Sequence, residues 1–169
     1  PKDTVSATED AIEKTVVDIL KEEDRIYKVF PVGRLDKDTE GLMLLTNDGE
    51  LAHRLISSKK DVVKKYYVEV SGELKEEYLS IVEAGVMLED GYKCKPARLE
   101  ILESSEDKSR ANIYITEGKF HQVKRMMKSL GTTVTYLKRI SIGELILDEN
   151  LELGEYRHLT NEELDKLNK

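Results

Sequence analysis

Three carboxylates and a guanidinium crowd the segment Val32-Gly33-Arg34-Leu35-Asp36-Lys37-Asp38-Thr39-Glu40-Gly41, and the apolar run Leu42-Met43-Leu44-Leu45 follows at once. Such a run, bounded by turn residues, reads as a buried strand. The polar loop is then anchored at its exit, and loops fixed to a rigid scaffold are where chemistry concentrates. At least one acid here is a candidate catalytic carboxylate, held in place. Three plainer readings compete. Asp36-x-Asp38-x-Glu40-Gly41 copies the opening of a calcium loop, but position twelve is Asn47 and the residues after Gly41 are strand-like, not helical. A glycosidase pair needs two acids from separate elements across a substrate, and nothing fixes the second. A solvated acidic turn is the third reading.

A second constellation lies at residues 119–130, predicted as a helix. Phe120, Val123, Met127 and Leu130 form its apolar stripe, and His121, Lys124, Arg125 and Lys128 recur at i, i+3, i+4 and i+7 on another face. A basic stripe is commonly just a solvated face. This one has no acid within the helix to pair with, which makes a polyanion a better partner than intrahelical salt bridges. The net charge of −7 argues against nucleic acid, but its distribution does not. Residues 118–143 carry Lys119, Lys124, Arg125, Lys128, Lys138 and Arg139 and no acid, whereas residues 69–90 carry seven acids against Lys75. Segregation of this kind can make a basic face on an acidic protein, unless folding intermixes the segments.

The elements that must position these groups follow from local pattern. Ser6-x-x-Glu9 is a capping box ahead of a helix with Ile12, Val16, Ile19 and Leu20 on one face. Residues 28–32 form a short strand into the acidic loop. Thr46-Asn47-Asp48-Gly49 is a turn, and residues 50–56 a brief helix with Leu51 and Leu55 inward. Residues 64–70 alternate as a strand with Tyr66, Val68 and Val70 on one face; core filling is the plain role for Tyr66. Residues 74–84 are an acidic helix. Strands follow at 97–102 and 110–116, joined by a polar stretch, then at 133–140 and 142–147. Gly131 stops the basic helix, and Thr160-x-x-Glu163 caps a last one with Leu164 and Leu167. The chain reads as α+β, without βαβ spacing or a glycine-rich phosphate loop.

The 169 residues suit one domain, 39% hydrophobic and 36% charged. No apolar run approaches the ~20 residues of a membrane span. The single cysteine, Cys94, excludes an intrachain disulfide and a multi-cysteine zinc site, and a packing or surface role outweighs a nucleophile. With no leader in view, a cytoplasmic location is the expectation.

The segment Gly33-Arg34-Leu35-Asp36-x-Asp38-Thr39-x-Gly41-Leu42 resembles the catalytic motif of the RsuA family of pseudouridine synthases. The resemblance continues through Leu44-Leu45-Thr46-Asn47-Asp48-Gly49, Lys64-x-Tyr66, Glu117-Gly118-Lys119-Phe120-His121-Gln122-Val123-Lys124-Arg125-Met126, Ile142-Gly143 and Gly154-Glu155-Tyr156-Arg157-x-Leu159-Thr160, in the family's order. It implies a mixed, mostly antiparallel central sheet flanked by helices, and the conversion of uridine to pseudouridine in ribosomal RNA without metal or cofactor. Asp36 would be the catalytic carboxylate, acting at the ribose or the base. Lys124 would pair with it and keep it ionised, and Tyr66 would stack on the flipped uracil. Arg34 would contact RNA; Lys119, His121, Gln122, Arg125, Lys128, Lys138 and Arg139 would line the RNA path; Leu35, Ile142 and Gly143 would shape the pocket. Lys95-Pro96-Ala97 and the form of residues 120–125 look most like the small-subunit (16S) enzymes, with the large-subunit (23S) rRNA as the alternative target. A non-catalytic RNA-binding module is the alternative of another class. Residues 1–169 would be one catalytic domain acting as a monomer, without the S4 RNA-binding domain that members of the family usually carry at the N-terminus.

Overall fold

Helices begin where the sequence offers caps. In the computed structural model, which describes residues 2, 4, 6, 15–57 and 59–168, Asp48 is extended and its carboxylate accepts the N–H of Leu51. That starts α1, Gly49–Ile56, which buries Leu51, Ala52 and Leu55. Thr160 and Glu163 close a reciprocal capping box at the start of the last helix, Asn161–Leu167. The predicted N-terminal helix and its capping box fall largely on residues 7–14, outside the described residues. The described chain resumes with a turn at 16–19 and a 3₁₀ segment at Glu22–Tyr27.

Three two-residue strands frame the acidic loop: β1, Phe30–Pro31; β2, Glu40–Gly41; and β3, Leu45–Thr46. The run 42–45 is therefore not one buried strand. Leu42 continues off β2, Leu44 is buried, and Leu45 pairs with Pro31. The main sheet is built from β4, Lys64–Ser71; β5, Arg98–Ser104; β6, Lys108–Ile115; β7, Thr133–Ile142; and β8, Leu145–Ile146. Its order is β2-β7-β4-β6-β5, with β8 also on β7, and every pairing is antiparallel except β2 with β7. The α+β reading holds.

One face of the sheet is apolar. Val68 and Val70 of β4, Ala111, Ile113 and Ile115 of β6 and Leu137 of β7 meet two helices there: α2, Tyr78–Ala84, and α3, Gln122–Ser129. A second cluster gathers Val32, Leu44, Leu51, Leu55, Ile142, Leu145 and Leu167, and ties the loop region to α1 and to the terminal helix, α4. α2 starts at Tyr78, not Leu74; the N–H of Leu74 is taken by the hydroxyls of Ser104 and Ser109 instead. α3 starts at Gln122, three residues later than its apolar spacing predicts. Phe120 leaves the stripe and stands 75% exposed, its ring against that of His121. The C-terminus of α3 is as read: Gly131 is left-handed, and the N–H groups of Gly131 and Thr132 bond Lys128 and Met127 in a Schellman closure.

Candidate active site

The acidic loop is held at both ends by backbone. Val32 donates its N–H to Leu44 on entry, and Leu42 donates to Arg139 on exit. Between them Thr39 N–H bonds Asp36 O at 2.9 Å and closes a tight turn. Gly41, at φ 111°, lies so near β7 that a Cβ there would sit 2.2 Å from the Arg139 carbonyl; only glycine lets the two backbones approach so closely. Arg139 is 4% exposed and donates Nε–H to the Leu42 carbonyl at 2.8 Å. It therefore braces the loop from behind and is not available to RNA, contrary to the reading from charge. Glu40 accepts a hydrogen bond from Tyr136, whose hydroxyl is pushed up to about 12 by burial and by that carboxylate.

Asp36 faces the start of α3. Its Oδ2 lies 2.8 Å from His121 Nδ1 and 3.4 Å from Lys124 Nζ. No hydrogen bond aligns on that imidazole nitrogen. Lys124 also bonds Asp38 Oδ1 at 2.5 Å, and this bond holds the exposed Asp38 below the usual carboxylate range. One ammonium thus bridges two acids of the loop.

A buried carboxylate sets the start of α3. Glu117, 2% exposed, accepts the Tyr92 hydroxyl at 2.6 Å, the Lys95 N–H at 2.9 Å and Gln122 Nε2 at 3.0 Å. Gln122 in turn accepts the N–H of Lys119. These bonds hold residues 117–122 in a turn that puts His121 in the left-handed region, φ 47°. An acid beside Gly118 carries no sequence signal of burial, and Glu117 was not among the predicted site residues.

Of the predicted residues, Arg34, Leu35, Asp36, Tyr66, Lys119, His121 and Gln122 line one small cleft, with Ile115, Val123 and Leu137 behind them and Thr39 beside Asp36. Arg34 is exposed and makes no ion pair among the described residues. Gln122 lines the cleft but is buried and committed to Glu117 and Lys119, so it is a brace and not a free RNA contact. Arg125 and Lys128 turn to Asp90 and Glu89 beyond α2, so here folding does intermix basic and acidic segments. Lys138 borders a broad apolar groove on the other side of the loop. Ile142 and Gly143 lie outside the cleft. Ile142 is in the second core cluster, and Gly143 donates its N–H to Val63. Cys94 is buried, and burial pushes its thiol up to about 11. No group of three metal-ligating side chains occurs among the described residues.

A carboxylate with a cation at its oxygen and an aromatic ring across a narrow cleft can hold a flat heterocycle and act on its sugar or ring. The chain belongs to the RNA pseudouridylate synthase family, whose model matches residues 1–129. Two curated relatives make the likeness specific. An RNA pseudouridine synthase of Bacillus subtilis is 52% identical over 168 residues, spanning 99% of this chain and 70% of that one. The ribosomal small subunit pseudouridine synthase A of Haemophilus influenzae is 46% identical over 141 residues, 83% of this chain and 59% of its own length. A crystal structure of a pseudouridylate synthase superimposes with a TM-score of 0.90 at 39% identity, over 99% of this chain and 70% of that one. The mixed, mostly antiparallel sheet expected from the resemblance is the sheet observed.

Proposed function

We propose that this chain isomerises a uridine of small-subunit (16S) ribosomal RNA to pseudouridine, as one catalytic domain acting as a monomer in the cytoplasm. The observation that carries the reading is the position of Asp36: fixed by the loop, in the same cleft as Tyr66 and within 3.4 Å of Lys124. The C1′–N1 bond of the uridine breaks, the uracil turns within the cleft, a C1′–C5 bond forms, and the proton on C5 leaves. Asp36 acts on the ribose or the base in the first step. Lys124 sets its ammonium 3.4 Å from that carboxylate and balances its charge in the cleft. Tyr66 stacks on the extruded uracil, whose removal from the RNA costs a few kcal/mol that stacking and backbone contacts offset.

Arg34, Lys119 and His121 rim the cleft and supply the nearest phosphate contacts. Arg125 and Lys128 join them by exchanging Asp90 and Glu89 for phosphate, because such exposed pairs are worth ~1 kcal/mol or less. The choice of small-subunit RNA is supported by the form of residues 95–97 and 120–125 and by the name of the Haemophilus influenzae relative. No helix among the described residues is long and apolar enough to cross a membrane.

The test is pseudouridine mapping of both large rRNAs from cells with and without the gene, rescued by the wild type or by Asp36→Asn in the full-length gene. One 16S pseudouridine should vanish and return only with the wild type, while Asp36→Asn folds with unchanged melting temperature. Rescue by Asp36→Asn would overturn the catalytic assignment and favour an RNA-binding module. A missing 23S pseudouridine would move the substrate to the large subunit.

A further inference from the structure

Among the described side chains, two buried polar atoms lack a hydrogen-bond partner, Thr39 Oγ1 and His121 Nδ1. Both residues line the cleft that holds Asp36. Native interiors leave few such atoms unpaired, because each has given up its hydrogen bonds to water for nothing in return. Two of them in one small cleft point to a partner that arrives with the substrate. For His121 the Asp36 carboxylate already supplies charge at 2.8 Å. For Thr39, 3% exposed, nothing does.

The Thr39 backbone cannot swing to find a partner. Its N–H is bonded to Asp36 O, and the next two residues are β2, paired with Lys138 and Arg139 of β7. Thr39 thus stands three residues from Asp36, in the turn that fixes the carboxylate, its hydroxyl buried where the cleft and the apolar groove both reach the residue. A hydroxyl both donates and accepts, and so fits either a ribose hydroxyl or a uracil carbonyl.

We propose that Thr39 is a substrate-contacting residue whose hydroxyl hydrogen-bonds a polar atom of the target nucleotide seated against Asp36. The proposal rests on the synthase reading. It gives the loop a second function beside the carboxylate: Asp36 reacts, and Thr39 holds the nucleotide in register with it.

Thr39→Val keeps the shape of the side chain and removes the hydroxyl, and it separates binding from folding by sign. An orphan hydroxyl destabilises the free protein, so its loss should leave the melting temperature unchanged or raise it. The same change should lower kcat/KM about tenfold, the factor that corresponds to 1.4 kcal/mol. Thr39→Ser should recover most of the activity. Tritium release from C5-labelled uridine in transcribed 16S rRNA gives the rate. A short RNA with 2′-deoxyuridine at the mapped position identifies the contact: no further loss in Thr39→Val places it on the ribose, and an independent loss places it on the base. Equal kcat/KM for Thr39→Val and wild type would overturn the proposal, whatever the melting temperature. So would a parallel fall in activity and melting temperature, which would make the hydroxyl structural. A wild-type protein that releases no tritium would overturn the synthase reading itself, and this proposal with it.

Discussion

Replacing Glu117 by glutamine is the most informative single change at the start of α3. The carboxylate accepts three hydrogen bonds, two on Oε1 from the Lys95 backbone and Gln122 and one on Oε2 from Tyr92. The amide keeps one acceptor oxygen for the first pair, while its NH₂ faces a tyrosine hydroxyl that must turn to accept. Hydrogen bonds to a charged group contribute about 1.5–3 kcal/mol each, and neutral ones about 0.5–1.5. Three such conversions lose roughly 3 kcal/mol, about 6–12 °C in melting temperature for a chain of this size. Tyr92 gives a second, local readout. Its hydroxyl is raised to about 12, first by the hydrogen bond to Glu117. Without the charge it should titrate nearer the ordinary value, about 10. At pH 11 the phenolate should rise well above the roughly one-tenth formed in the wild type, by less than one full tyrosine because burial keeps part of the rise, and is read as extra ultraviolet absorbance in the variant. kcat should fall because Lys124 follows the turn that Glu117 holds, and RNA affinity should fall with it because Lys119 and His121 lie in that turn. A melting temperature within a degree of wild type, together with an unmoved tyrosine titration, would refute the account of Glu117 as the hub of that turn.

Gly41→Ala should cost about 3 kcal/mol or more, since φ is 111° and the new Cβ would meet the Arg139 carbonyl at 2.2 Å; denaturant unfolding measures it, and wild-type stability would contradict the close approach of loop and strand. Lys64 is 8% exposed, and burial lowers it to about 8, with Arg139 and Lys95 adding repulsion. Between pH 8 and 10.5 the unfolded chain binds the proton that the folded one has released, so stability should rise with pH across that window. Lys64→Met should stabilise the protein at pH 7 and flatten the rise. The fully buried limit is ~3.4 kcal/mol, and solvent reaching the ammonium brings the expected gain nearer ~2. A variant less stable than wild type at pH 7 would contradict this.

What was legible in the sequence was local. Asp48 and Thr160 cap their helices because a short acceptor stood before an apolar period, and β4 alternates because one face is core. Asp36 pairs with Lys124 and lines one cleft with Tyr66, three residues that the motif resemblance had named together. What was hidden was tertiary. Arg139 counts as one more cation on a basic stretch until β2 docks beside it and buries it. Arg125 and Lys128 have no acid on their own helix, but Asp90 and Glu89 arrive from a segment some forty residues earlier. The apolar spacing carried α3 back through Phe120, whereas the bonds of Glu117 and Gln122 end it at Gln122. The run at 42–45 was apolar enough for a strand, yet Gly41 and Arg139 turn the chain there. Ile142 and Gly143 belong to the family's motif order, but they sit at the far end of β7, in the second core and against Val63.

The parallel pairing of β2 with β7 also sets an order in time. Glu40 and Gly41 find Lys138 and Arg139 nearly a hundred residues later, and the partners of Asp36, His121 and Lys124, lie almost as far along. A chain leaving the ribosome at about 5–20 residues per second therefore exposes the acidic loop for roughly 5–20 s before its strand partner exists. Through that interval the sheet can start only from later hairpins, such as β5 with β6. The pairing that closes the acidic loop can form only once β7 exists, so the site around Asp36 waits on the later half of the chain.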